Sequence, residues 1–238
     1  MLGSGGLPVE PNPCRVTSGS DPSLHHAIAI DGPAASGKST LAKRLAGKLG
    51  LIMVNSGAMY RAITWKTLRE GIDPHDAAGV VAMLDRISIR CGDDGIGSTI
   101  TIDGVDPGEQ LRGEEVNANV SAVAAIPGVR RKLIGLQRGY LDRSSIVMEG
   151  RDIGSVVFPE TPFKIYVDAA EHVRAARRGD EGQVDSIARR DALDSARATA
   201  PLVVAPGAVV LDTTDLDIDA AVDAAVAILR RQGFPVPD

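Results

Sequence analysis

The chain has 238 residues, 44% hydrophobic and 24% charged, which at about 150 residues per domain makes one large domain or a domain with a sizeable insert. Its 26 basic residues against 31 acidic ones give a net charge of -5, the wrong sign for a non-specific binder of nucleic acid or of an anionic membrane. No apolar run approaches the roughly 18 residues that span a bilayer, and the two cysteines, Cys14 and Cys91, lack the spacing of a disulfide scaffold or a zinc site, so a soluble, cytosolic protein is expected.

Met1 to Leu24 is crowded with Gly, Pro and Ser and has no apolar period, so a flexible extension is expected there, with one domain over residues 25–238. Short apolar runs follow: AIAID (Ala27 to Asp31), LIMVN (Leu51 to Asn55), IVMEG (Ile146 to Gly150), FKIYV (Phe163 to Val167) and AVVLD (Ala208 to Asp212). Each precedes a helical period. Runs apolar on both faces and alternating with helices describe a buried parallel sheet, so the class is α/β with five strands, wound on both sides.

One stretch breaks that rhythm. Ile87 to Arg90 and Thr99 to Ile102 alternate at period two, and Asp103-Gly104 is a hairpin signal ahead of a third strand expected near Val105 to Leu111. A small antiparallel insert is the reading. A helix is expected after Asp73-Pro74, and two more over Glu114 to Ala125 and Pro127 to Arg143.

The chemistry begins at GPAASGKST. Gly32, Pro33, Ala34, Ala35, Ser36, Gly37, Lys38, Ser39 and Thr40 fit G-x-x-x-x-G-K-[ST] between a strand and a helix, a pattern that chance places in about one chain of this length in a hundred. Its glycines let backbone N–H groups converge on phosphate oxygens, Lys38 reaches the β- and γ-phosphates, and Ser39 can ligate Mg²⁺. A GTP switch is disfavoured: none of Asn12, Asn55, Asn117 and Asn119 opens an N-K-x-D motif, and the D-x-x-G of Asp94 to Gly97 lies in the hairpin insert. Arg61, Arg130, Arg151, Arg174, Arg177, Arg178, Arg190 and Arg197 fall after strand ends, where an open α/β sheet has its ligand crevice. Arginine suits phosphate because its planar fork binds two oxygens and stays charged.

The P-loop, SGAMYR (Ser56 to Arg61), EGRDIGSVVFP (Glu149 to Pro159) and RRDALDSARATAPL (Arg189 to Leu202) together resemble the bacterial cytidylate kinases of the nucleoside-monophosphate kinase group, over about Ala27 to Gln232. The resemblance implies a P-loop NTPase fold that transfers the γ-phosphoryl of ATP to CMP or dCMP with Mg²⁺. It also implies a mobile monophosphate-binding insert at about residues 72–112 and a short lid at about 174–190; separately, a monomer is expected. By position, Arg61, Arg151 and Arg190 match arginines that hold the acceptor phosphate. Ser121, Arg130, Asp152 and Arg197 match residues lining the cytosine, Ser56 a nearby contact, and Asp194 the carboxylate that meets the sugar. Arg174, Arg177 and Arg178 match residues closing over ATP, so that Lys38, Arg151, Arg177 and Arg178 would act on the transferring group. Glu149 stands where the family commonly has aspartate, and the lid segment GDEGQ (Gly179 to Gln183) is short. Two other readings stay open: a P-loop kinase for UMP, AMP or a shikimate-like acceptor, and a non-catalytic ATP-binding module.

Overall fold

The computed structural model describes residues 25–180 and 202–236, the side chains of residues 178–180 excepted. Five strands, β1 (Ala27–Asp31), β2 (Ile52–Asn55), β5 (Ile146–Gly150), β6 (Lys164–Asp168) and β7 (Val209–Asp212), form one parallel sheet in the order β2-β5-β1-β6-β7. These are the five apolar runs of the sequence, trimmed or shifted by one residue in three cases. Pleating sends alternate β1 residues to opposite faces. Ile28 and Ile30 enter a core with α1 (Lys38–Leu49) and the final helix, α7 (Ile218–Arg231). Ala27 and Ala29 face a second cluster with Tyr140, Ile146 and Met148.

Helix α1 buries Leu41, Ala42, Leu45, Ala46 and Leu49, a stripe one helical face wide. Helix α7 starts where the Asp217 carboxylate accepts from the Ala220 N–H at 2.8 Å, and it buries Val222, Val226 and Leu229 on the same face of the sheet. Phe163, Phe234 and His26 pack edge to face at the N-terminal end of the sheet, away from the strand ends that carry the P-loop.

A third apolar cluster lies beneath the insert. Helices α2 (Ser56–Arg69), α3 (Ala77–Leu84), α4 (Glu114–Ala125) and α5 (Pro127–Arg138) share it with Ile100 and Ile102 of the hairpin strand β4 (Ser98–Ile102). β4 pairs antiparallel with β3 (Ile89–Asp93), and the connecting turn is pinned by Asp94, whose Oδ1 accepts from the N–H groups of Ile96 and Gly97. The hairpin docks on the outer edge of β2: Met53 N–H donates to the Ile96 carbonyl at 3.2 Å, and Asn55 N–H to Ser98 Oγ at 3.1 Å. An otherwise open sheet edge is thereby covered.

Two expectations are corrected. Asp103 and Gly104, at φ 52° and 78°, make the expected tight turn, but only the Ile102–Val105 bridge follows, not a third strand. Pro107 has no N–H for a ladder, the Asp106 carboxylate turns back to the Gly108 N–H at 2.8 Å, and the chain coils into a 3₁₀ turn over Gly108–Arg112. Helix α5 ends at Arg138 rather than Arg143. A 3₁₀ turn over Gly139–Asp142 replaces its last residues and swings Tyr140 inward, where its hydroxyl donates to the Gly92 carbonyl at 2.9 Å. No helix among the described residues is long and apolar enough to cross a membrane.

Candidate active site

Parallel pairing aligns the C-terminal ends of three strands. Ile30 and Asn55 both lie opposite Glu149, and Asp31 lies opposite Gly150. The loop leaving β1 and the EGRD segment leaving β5 are therefore neighbours. At Gly32 a Cβ would stand 2.1 Å from the Val167 carbonyl oxygen, so only hydrogen fits where the P-loop passes β6. Ala35 and Gly37, at φ 57° and 87°, curl the loop back to α1, and no side chain caps the first N–H groups of that helix. Such a terminus favours an anion. Lys38 Nζ donates to the Pro33 carbonyl at 3.0 Å, folding the ammonium across the loop, while the Ser36 hydroxyl is buried without a protein hydrogen bond. Thr40 is exposed on the first turn.

Ser39 Oγ donates to Glu149 Oε1 at 3.0 Å, joining the start of α1 to the end of β5. Ser56, the first residue of α2, is buried and donates to the Glu149 carbonyl at 2.8 Å. Arg151 Nη1 donates to the Gly32 carbonyl at 2.7 Å. Asp152 is paired with Arg130 of α5, both buried, and the guanidinium lies over the ring of Tyr60 at 5.8 Å. Arg61, one turn into α2, donates from Nε to Asn117 Oδ1 of α4 at 3.4 Å, and Ser121 sits half-buried one turn further along α4. The structure thus brings Ser56, Arg61, Ser121, Arg130, Arg151 and Asp152 onto α2, α4, α5 and the β5 end, on the side of the P-loop toward β2.

On the other side stands α6 (Glu171–Asp180). Arg174 Nη1 donates to the Ala34 carbonyl at 3.3 Å, and Nε to the Ala169 carbonyl at 3.1 Å. Arg177 is held by the carbonyls of Ser36 and Thr213 and by the Thr213 hydroxyl. Thr213, buried just after β7, lies 3.1 Å from the Ser36 carbonyl and 3.0 Å from that of Asp168. The side chain of Arg178 and all of Arg190, Asp194 and Arg197, with most of the GDEGQ segment, lie outside the described residues.

Sequence reasoning passed over Thr213, Tyr60, Asn117 and Asp31. The Thr213-Thr214 pair directly after a core strand is a signal that could have flagged the first. Asp31 is buried and accepts from the N–H groups of Ile153 and Gly154 at 2.7 Å each; burial pushes its carboxyl up to about 6 in spite of them. An open cleft between β3 and α5, lined by Arg90, Cys91, Tyr140 and Arg143, holds none of these residues, and burial pushes the Cys91 thiol up to about 11.

A parallel sheet with a P-loop after its central strand, and arginines and a buried carboxylate gathered beside it, define a P-loop phosphotransferase of the α/β class. The chain belongs to the cytidylate kinase family: the family profile described as Cytidylate kinase matches residues 28–231. A cytidylate kinase of Streptomyces avermitilis is 40% identical over 214 residues, covering 86% of this chain and 93% of that protein. One from Mycobacterium avium is 42% identical over 219 residues, covering 86% and 95%. A solved sugar kinase from Janibacter sp. HTCC2649 superposes with TM-score 0.46 at 15% identity over 87% of this chain and 95% of that one, too distant a likeness to bear on the site.

Proposed function

We propose that this cleft transfers the γ-phosphoryl group of ATP to CMP or dCMP, as a cytosolic, monomeric enzyme of pyrimidine nucleotide metabolism. The observation that carries the reading is the buried Arg130–Asp152 pair beside a P-loop. A P-loop binds any nucleoside triphosphate, but a guanidinium and a carboxylate held together offer donors and an acceptor to one edge of a second ligand. Cytosine has the matching edge: an amino group to donate to Asp152, and a ring nitrogen and carbonyl to accept from Arg130.

The P-loop over Gly32 to Thr40 takes the donor phosphates on its backbone N–H groups, Pro33 having none, and Lys38 leaves the Pro33 carbonyl for the β- and γ-oxygens. Arg174 and Arg177 are placed at the loop from the α6 side, and with Arg178 they neutralise charge as the γ-phosphoryl departs. Arg61 and Arg151 hold the acceptor phosphate, with Arg190 joining them. Ser56, Ser121 and Arg197 line the base, and Asp194 takes the sugar hydroxyl. The acceptor oxygen is already anionic, so no general base is needed. Closure of the insert at about residues 72–112 and of the lid at about 174–190 excludes water, which would otherwise accept the phosphoryl group.

Ser39 Oγ and Glu149 Oε1, a hydroxyl and a carboxylate 3.0 Å apart at the P-loop, are hard oxygen donors that fit Mg²⁺. The chemistry supplied by that ion when bound is neutralisation of the donor phosphate oxygens.

An ADP-release assay run with CMP, dCMP, UMP and AMP in turn tests the reading. The expected result is a kcat/KM for CMP and dCMP at least about tenfold above that for UMP and AMP. Equal rates with all four, or tight ATP binding with no turnover, would overturn it.

A further inference from the structure

Asp31 ends the strand that feeds the P-loop, and its carboxylate is spent on the other substrate's loop. Oδ1 accepts from the Ile153 N–H and Oδ2 from the Gly154 N–H, each at 2.7 Å. These are the two residues after Asp152, and they open a single π-helical turn over Ile153–Val157. One residue earlier, Arg151 returns the connection by donating to the carbonyl of Gly32, next to Asp31. Three hydrogen bonds thus tie Asp31-Gly32 to the Arg151–Gly154 segment, in addition to the pairing of Asp31 with Gly150. Each lies at one of the two loops that the reaction must hold in line.

We infer that Asp31 is a positioning residue that sets Arg151 and Asp152 at a fixed offset from the P-loop. Only a carboxylate can accept two N–H groups at once with its two oxygens; an asparagine there would turn its amide donors on one of them. The arrangement is tight on the far side as well, since a Cβ on Gly154 would lie 3.3 Å from Asp31 Oδ2 and 3.1 Å from Lys164 Cδ. The surroundings do not favour a charge for its own sake. Asp152 repels it, Lys38 attracts it weakly, and burial outweighs both backbone donors. A buried carboxyl group whose side chain is bonded to the loop that carries the acceptor-binding residues is suited to setting geometry.

The inference rests on the reading of Arg151 and Asp152 as acceptor-binding residues. The test uses Asp31→Asn and Gly154→Ala in the full chain. It measures kcat and KM for CMP and UMP at saturating ATP, ADP affinity by calorimetry without monophosphate, and melting temperature. For Asp31→Asn, kcat/KM for CMP should fall by about tenfold or more, the CMP to UMP ratio should shrink severalfold, and ADP affinity should stay within about twofold. Gly154→Ala should shift the same quantities in the same direction by less, and the two changes combined should be less than additive because they act on one contact.

A loss of ADP affinity as large as the loss with CMP would make Asp31 part of the P-loop's own support and overturn the inference. So would an unchanged CMP to UMP ratio in Asp31→Asn. Should that variant not fold, an unaltered ratio in Gly154→Ala overturns it equally. If the wild-type protein itself does not prefer CMP, the acceptor reading fails first, and the two failures are told apart by that measurement alone.

Discussion

Asp152 and Arg130 form a buried ion pair, 5% and 4% exposed, between the end of β5 and the first turn of α5. Tyr60 covers the guanidinium, and the N–H groups of the two residues after Asp152 are held by Asp31. The bland alternative, that Asp152 only neutralises a neighbouring arginine, differs from base reading in its consequence for selectivity.

Asp152→Asn separates the two. With CMP the carboxylate meets an amino donor, whereas with UMP two acceptors face each other, a mismatch worth roughly 1 to 3 kcal/mol, or about tenfold to over a hundredfold in kcat/KM. The asparagine amide can rotate toward the uracil carbonyl, so activity on CMP should fall and the CMP to UMP ratio should shrink, while the KM for ATP stays near wild type. Removing the negative charge also leaves Arg130 buried without its partner, at a cost of about 3 kcal/mol, so the melting temperature should drop by roughly 6 to 12 °C. Loss of activity on both acceptors by one factor would leave Asp152 with the structural role only.

Glu149→Gln addresses the metal. Its Oε1 accepts from Ser39, and a neutral amide there weakens any divalent cation held between them. The Mg²⁺ concentration for half-maximal activity should rise by about tenfold to a hundredfold with little change in the KM for CMP. An unshifted Mg²⁺ dependence would remove Glu149 from the ion's site.

Thr213→Val removes one buried hydroxyl at nearly constant volume. That oxygen receives Arg177 and reaches the carbonyls of Ser36 and Asp168. Chemical denaturation should show a loss of about 1 to 3 kcal/mol. The KM for ATP should rise as Arg177 loses one of its three hydrogen bonds, keeping those to the Ser36 and Thr213 carbonyls, while the CMP to UMP ratio is unchanged; a shift in that ratio would place Thr213 on the wrong side of the site.

Asp31 also makes stability depend on pH. Its carboxyl sits at about 6 in the fold against an ordinary 3.8, so between those values the folded chain binds more protons than the unfolded one. Its contribution is therefore greatest below 3.8 and is lost as pH rises through about 6. Asp94, Asp103 and Asp212 are shifted the opposite way, by the Gly97 N–H, the Ser88 N–H and the Thr214 hydroxyl respectively, and they favour the fold above 3.8. Comparing wild type with Asp31→Asn cancels those groups. From pH 7 to pH 5 the wild type should gain about 1 kcal/mol relative to the variant in denaturant melts. A constant difference would mean that Asp31 titrates normally.

The sequence by itself determined the class and the P-loop. Runs such as AIAID and IVMEG are apolar at every position because both faces of a parallel strand are covered, and GPAASGKST carries its phosphate chemistry in local spacing. Periodicity did not foresee that Val105 to Leu111 would coil, since Pro107 and the Asp106 side chain settle that locally against the hydrophobic pattern. The order β2-β5-β1-β6-β7 was also illegible, because parallel strands pair through crossovers of many residues that leave no mark on either partner.

Only the tertiary structure decided which polar groups meet. Arg130 and Asp152 belong to different predicted elements, Thr213 reaches Ser36 across 177 residues, and Asp31 reaches Ile153 across 122. A hydrogen bond needs its two atoms within about 3 Å, a condition fixed by strand register and helix packing and not by the spacing of residues along the chain.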